Sequence, residues 1–162
     1  MQPDAPTEAL LLDHQLCFAL YSASLAMTKV YKPLLEELGL TYPQYLVLLV
    51  LWEQDDVQVS RIGERLHLDS GTLTPLLKRL EASQLVRRTR DCDDERRVRI
   101  TLTEQGRALQ LRAQQVPVCM QARSQLDVPQ MRALLQQLQG LRAQLSAPAL
   151  PHLNPPAQQA QP

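Results

Sequence analysis

Residues 59–103 read VSRIGERLHLDSGTLTPLLKRLEASQLVRRTRDCDDERRVRITLT. The hydrophobic period changes along this stretch. VSRIGERLHL predicts a short helix of about eight residues. In DSGTLTPLLKRLEASQL, Asp69 or Ser70 is placed to cap a second helix, with Leu73, Leu76, Leu77 and Leu80 on its inner face. Pro75 falls within the first two turns, where a missing N–H matters least. LVRRTR and VRITLT are then short and rich in β-branched residues and arginine, and the charged run DCDDERR separates them. That pattern predicts a hairpin with a polar tip. Short helix, capped helix and hairpin together predict a winged helix–turn–helix.

The flanks read as helices. From about Glu8 to Lys32, Leu16, Leu20, Ala23, Met27, Val30 and Leu34 recur at spacings of three and four. Pro33 suits the first turn of a following short helix, and Gly39 suits its end. Thr41, with Gln44 three residues on and Pro43 in the first turn, opens a helix carrying YLVLLVLW, apolar nearly all round and so expected to be buried. After the hairpin, Thr103 or Glu104 starts a helix that Pro117 should bend or end. Asp127 caps the last helix, whose Met131, Leu134, Leu135, Leu138, Leu141 and Leu145 form a stripe. The terminal helices carry more apolar surface than so small a core needs, and an obligate homodimer would bury it.

The fold class expected is therefore mainly α with a small β-hairpin wing. The winged helix–turn–helix spans about 43–103, between dimerisation helices at about 8–38 and 104–146. Residues 1–7 and 147–162 are rich in Pro, Ala and Gln and read as disordered tails. The 162 residues suit one domain.

Formal net charge is zero, so no global field marks a nucleic-acid binder, but ten of the 17 Lys and Arg residues fall between Arg61 and Arg99. Cys17, Cys92 and Cys119 are odd in number, far apart and without a C-x-x-C, which argues against a disulfide scaffold or zinc ribbon. His14 and Cys17 are spaced i, i+3 but no second pair completes a metal site, so neither a metal nor a cofactor is expected. No apolar run reaches ~18 residues and no leader opens the chain, so a soluble, cytoplasmic protein with no membrane partner is expected.

In a helix–turn–helix the second helix enters the major groove N-terminus first. Here that end offers Ser70, Thr72 and Thr74, with Lys78 and Arg79 one to two turns on. These side chains suit phosphates and base edges of a double-stranded operator. At the hairpin tip, Arg96 and Arg97 sit beside Asp91, Asp93, Asp94 and Glu95. Either this is a self-neutralised solvated turn, or Asp94 orients an arginine while Arg96 enters a narrow minor groove. The order of elements favours the second. Cys92, in the same tip, reads as incidental.

The layout resembles the MarR family of winged-helix repressors across roughly residues 8–146, and the Asp91-x-x-Asp94-x-Arg96 tip matches that family's wing. QLCFALYSAS, MTKVYKPLLEELGLTYPQYLVLLVLWE and LDSGTLTPLLKRLE further resemble the organic hydroperoxide resistance regulators, OhrR. The resemblance implies a reduced homodimer that represses a peroxide-detoxification gene and leaves a palindromic operator when a cysteine near the N-terminus is oxidised by an organic hydroperoxide. By position Cys17 matches that cysteine. Tyr31 and Tyr42 match two tyrosines that hydrogen-bond it. Taken alone, Cys17 would be read as small core filler. The resemblance implies two alternatives for the oxidised thiol, a cap by a small thiol or an intersubunit disulfide with a second cysteine, and Cys119 lies in the corresponding region.

Elementary geometry adds one point. Cys17 and Tyr31 are fourteen residues apart, ~21 Å along a helix. Only a partner chain or a fold-back at Pro33 can bring them together. Leu16, Phe18, Leu20 and Met27 would then line the thiol with apolar surface, which suits alkyl hydroperoxides. Two rival readings remain: a MarR-type repressor responding to a small aromatic ligand with Cys17 passive, and a thiol enzyme. No base or oxyanion site accompanies Cys17, so the enzyme reading is set aside.

Overall fold

A computed structural model of the chain describes residues 8, 10–90 and 97–147. The expected tails, apart from residue 147, and the hairpin tip with Cys92, Asp94 and Arg96, lie outside the described residues. The chain divides into two units, Met1–Met120 and Gln121–Pro162. After a 3-10 turn at Leu12–His14 come helix α1 (Leu16–Glu36), α2 (Tyr42–Glu53), strand β1 (Val57–Gln58), α3 (Val59–Leu66), α4 (Ser70–Ala82), β2 (Val86–Arg90), β3 (Val98–Leu102), α5 (Glu104–Ala113), α6 (Gln115–Ser124) and α7 (Val128–Ser146).

The winged helix–turn–helix forms as the period changes predict. β2 and β3 pair antiparallel, with Val86 opposite Leu102 and Arg90 opposite Val98. The sequence reading missed β1, which pairs two residues with the far edge of β3, so the sheet has three strands in the order β1-β3-β2. Two residues carry too little period to be read as a strand.

Two expectations for the N-terminal segment are corrected. The helix begins at Leu16 rather than near Glu8, because the 3-10 turn and the extended Gln15 precede it. Pro33 does not open a new helix, and α1 continues through it to Glu36. Pro33 has no N–H to give the Lys29 carbonyl, so α1 continues through it with one helical bond fewer in its final turns. Gly39 then stops the helix in the left-handed region at φ +69°, with Leu40 N–H donating to Leu35 O and Gly39 N–H to Glu36 O.

The other terminators are less legible. α3 and α4 end with the same pair of hydrogen bonds, but His67 (φ 55°) and Gln84 (φ 58°) occupy the left-handed position. A side chain there costs roughly 1–2 kcal/mol. At the other boundary Pro117 acts as expected. The helix breaks at Gln114, because Pro117 offers no N–H to the Ala113 carbonyl and its ring crowds it. The caps also form as read. Thr41 donates its N–H and hydroxyl to Gln44 Oε1, Asp69 accepts from Thr72 N–H, Thr103 from Gly106 N–H, and Asp127 from Gln130 N–H.

The core of the first unit gathers Leu35, Val47, Leu48, Leu51, Ile62, Leu73, Leu77, Leu80 and Ile100, each at most 1% exposed. α2 is largely buried as expected, though Leu49 reaches solvent. The stripe of α1 is not core. Leu16, Leu20, Ala23 and Met27 are exposed, and only Val30 and Leu34 are half-buried. In α7, taken by itself, Leu134, Leu135, Leu138 and Leu145 are exposed.

Gly106 shows how tightly α5 seats on the root of the wing. A Cβ there would lie 2.1 Å from Leu85 O, which accepts the Thr103 N–H. Gly106→Ala is expected to destabilise the protein by about 2–3 kcal/mol. Gly140→Ala on α7, where a Cβ meets nothing within 4 Å, should be neutral or slightly stabilising. Thermal melts of the two variants check the contrast, and equal melting temperatures would contradict this packing.

Candidate DNA-reading surface and thiol–tyrosine site

The N-terminus of α4 is held by Asp69. Its carboxylate accepts Thr72 N–H at 2.8 Å and the Thr72 hydroxyl at 2.9 Å. These bonds hold the Asp69 pKa below its ordinary 3.8, the backbone bond from Thr72 acting most strongly. Thr74 donates its hydroxyl to Ser70 O at 2.7 Å. Two of the three hydroxyls expected to face DNA are therefore already used as donors, and what Thr72 and Thr74 have left to offer is acceptance. Ser70, Thr72, Lys78 and Arg79 are exposed and Thr74 is half-buried.

Between α3, α4 and the wing runs an open cleft of about 920 Å³, lined by Ser60, Ser70, Thr74, Arg88 and Arg97 among others. Arg97 is exposed at the start of β3. Glu81 accepts Arg88 N–H at 3.1 Å and so ties α4 to β2. Asp94 and Arg96 lie outside the described residues.

Two adjacent carboxylates after α2, neither singled out by the sequence reading, anchor the wing. Asp55 accepts Leu102 N–H at 2.8 Å and pairs with Arg107 of α5 at 2.6 Å. Asp56, at φ 58°, grips the Arg99 guanidinium with both carboxylate oxygens at 2.8 Å. The Arg99 bond, first of all, lowers the Asp56 pKa. Trp52, also missed, donates Nε1–H to Gly106 O at 3.0 Å. A D-D pair following W-E at a helix end carries no period, and the partners are 43 to 54 residues away.

The structure brings Tyr31 and Tyr42 together, with ring centroids 4.7 Å apart. Tyr45, 4% exposed, packs behind them at 6.2 Å from Tyr31. Burial, and then the neighbouring phenols Tyr42 and Tyr45, push the Tyr31 pKa up to about 12. Burial also raises those of Tyr42 and Tyr45. A raised phenol pKa keeps each group a neutral O–H donor through the physiological range.

Cys17 is not brought to this pair within the protomer. It is a free, exposed thiol on the first turn of α1, with Tyr31 on the same unbroken helix ~21 Å away. The continuity of α1 through Pro33 removes the fold-back alternative. Cys119, on α6, is also free and exposed. Among the described residues, no group of three or more His, Cys, Asp or Glu is arranged to hold a metal, and no helix is long and apolar enough to cross a membrane.

A capped recognition helix beside a three-stranded wing defines a winged-helix DNA-binding regulator. Comparison with known proteins gives the family. The model of the transcriptional regulator SarA/Rot family matches residues 29–111. TtmR, an HTH-type transcriptional regulator of Methylorubrum extorquens, is 53% identical over 138 residues, 85% of this chain and 71% of its own. The organic hydroperoxide resistance transcriptional regulator of Bacillus subtilis is 56% identical over 106 residues, 65% of this chain and 72% of its own. Reduced AbfR bound to DNA superposes with a TM-score of 0.70 at 38% identity, over 86% of this chain and 97% of AbfR. Disulfide-formed AbfR superposes at 0.58 and 38%, over 89% and 96%. The chain belongs to the SarA/Rot-type, MarR-like winged-helix transcriptional regulators.

The depressed Asp69 pKa makes a pH prediction. The stability it contributes is fully present above its unfolded value near 3.8 and is lost as pH falls through the lower folded value. Asp69→Asn keeps an acceptor for Thr72 but cannot ionise. The gap in melting temperature between the wild type and this variant should be constant above about pH 5 and shrink in more acid solution. A gap that widens on acidification would show that the carboxylate is not bonded as described.

Proposed function

We propose that the protein is a redox-sensing repressor. It binds a palindromic operator as a homodimer and is released when an organic hydroperoxide oxidises Cys17, which derepresses a peroxide-detoxification gene. The observation that carries this reading is the geometry of α1. An exposed thiol stands at one end, Tyr31 packs against Tyr42 of α2 near the other with the rings tilted at 47°, and an exposed apolar stripe runs between them. Two copies of α1 crossing antiparallel near Ser24, midway between Cys17 and Tyr31, cover the stripe and deliver each Cys17 to the partner's Tyr31 and Tyr42. The small residues Ser22, Ala23, Ser24 and Ala26 at the crossing suit close helix approach.

In that arrangement neutral phenols donate to the Cys17 thiolate and stabilise the nucleophilic form. The thiolate attacks the distal peroxide oxygen. An S–O bond forms, the O–O bond breaks with its electron pair leaving on the alkoxide, and the alkoxide takes a proton to give the alcohol. The sulfur is oxidised to sulfenic acid and the peroxide is reduced. A second thiol then displaces hydroxide, which leaves as water with that thiol's proton, and forms a disulfide. We assign this resolving role to Cys119, exposed on α6. The relation of this chain to AbfR, for which DNA-bound reduced and disulfide-formed structures exist, supports a regulator of this kind.

On DNA, the proposed contacts are Ser70, Thr72 and Thr74 at the major groove, with Lys78 and Arg79 on phosphates. At the wing, Arg97 and the Asp94–Arg96 pair complete them. The cleft between α4 and the wing then faces the strand between the two grooves. Two recognition helices must fit half-sites one helical turn or a multiple apart, so oxidation that changes their separation by a few kcal/mol of misfit empties the operator. In the reducing cytoplasm proposed for it, the resting dimer holds Cys17 as a thiol.

The test uses fluorescence anisotropy on a labelled duplex selected from a random pool by the reduced protein. Wild-type protein is expected to lose affinity at least tenfold when treated with stoichiometric cumene hydroperoxide. Cys17→Ser should bind equally well with or without peroxide. If Cys17→Ser is released as readily as wild type, the redox reading fails.

A further inference from the structure

We propose that Tyr45 and Trp52 are positioning residues that carry the state of the Tyr31–Tyr42 pair through α2 to the root of the wing. The inference rests on the redox-sensing reading above and names the part of the fold through which that site would act on the DNA-reading surface.

The contacts form one continuous line. Tyr31 packs against Tyr42 at 4.7 Å with the rings tilted at 47°, and lies 6.2 Å from Tyr45, counting between ring centroids. Tyr45 meets Trp52 edge-on, again at 6.2 Å with the planes at 67°. Tyr45 and Trp52 are seven residues apart on α2, two turns on one face. Trp52 then donates its indole N–H to Gly106 O at 3.0 Å. Gly106 is held close against Leu85, whose carbonyl oxygen lies 2.1 Å from where a Cβ would be. Leu85 immediately precedes β2, and its carbonyl holds Thr103 N–H at the far side of the hairpin.

Three residues past Trp52, Asp55 reaches the same place by another route, binding Leu102 N–H of β3 and Arg107 of α5. The C-terminal end of α2 is therefore bolted to both strands' roots and to α5, while its N-terminal end carries two of the three packed phenols. Packed interiors transmit displacement rather than absorb it. A change in what Tyr31 and Tyr42 bond to moves a rigid helix whose other end is the base of the wing. Coupling of this kind is demonstrated by its energetic consequences rather than by spatial continuity.

Trp52 is the only tryptophan in the chain, so its emission reports this joint without labelling. The full-length protein is titrated with cumene hydroperoxide while free thiol, Trp52 emission and binding to the selected duplex are followed together. The emission of wild-type protein is expected to shift in step with thiol loss, and not to shift in Cys17→Ser. Trp52→Phe keeps an aromatic ring but removes the N–H. It should oxidise at the wild-type rate and bind the duplex normally when reduced, yet the ratio of oxidised to reduced Kd should fall at least tenfold.

Tyr45→Leu opens the line at its other joint and should give the same fall, which keeps the test decisive if one variant folds poorly. Unchanged emission alongside full thiol loss and DNA release, or variants that keep the wild-type ratio, would overturn the coupling and leave redox sensing standing. Survival of the thiol, or an oxidised wild type that keeps its DNA, would remove the sensing reading and this inference with it.

Discussion

The straightness of α1 is the constraint on which the rest depends. A helix that runs unbroken from Leu16 to Glu36 holds Cys17 and Tyr31 ~21 Å apart. No side chain spans that distance, so one protomer cannot bring Cys17 and Tyr31 together. The same helix exposes Leu16, Leu20, Leu25 and Met27, at 36% to 60% of their surface. Exposed apolar surface of this extent calls for a cover. The proposed sensing site and the exposed apolar surface share this helix, so in the proposed dimer sensing and assembly are one event.

Helix α2 links α1 to the interior and the wing. Its N-terminus is set by Thr41 and Gln44, its body is sealed by the core, and its C-terminus ends in a knot of polar contacts around Trp52, Asp55 and Asp56. The wing is consequently not a free appendage. β3 is clamped by the Asp56–Arg99 fork and by Asp55 at Leu102 N–H, both from residues just before β1, and α5 shares the second clamp through Arg107. The DNA-reading helix is built more lightly, on Asp69, on the Schellman turn at His67 and on the burial of Leu73, Leu77 and Leu80.

The fold was largely legible in the sequence because its main signals are local. The shift from a period near 3.6 to one of 2 located the helix–turn–helix and hairpin. Thr41 and Asp127 located helix starts, Asp69 or Ser70 and Thr103 or Glu104 bracketed two more, and Gly39 and Pro117 located an end and a break. The misses were of three kinds. β1 is too short to show a period. His67, Gln84 and Asp56 adopt left-handed backbone that glycine would have advertised. Pro33 reads as a boundary, yet α1 runs through it to Glu36. In the site, the residues with local neighbours were legible and the long-range ones were not. Asp55, Asp56 and Trp52 act on partners more than 40 residues away. The roles proposed for Cys17, Tyr31 and Tyr42 come from family resemblance, and the structure adds that the two tyrosines pack together and the cysteine stands apart.

The central claim, that each sensor is assembled from two protomers, is tested most directly by complementation. Chains carrying Cys17→Ser are mixed with chains carrying Tyr31→Phe and Tyr42→Phe, and the heterodimer is isolated by differential tags. If the site is shared, one of its two sites pairs an intact Cys17 with intact tyrosines, and the account predicts thiol oxidation at the wild-type rate. A rate no faster than that of the tyrosine-less homodimer would show that thiol and phenols never meet across the interface, and would contradict the account.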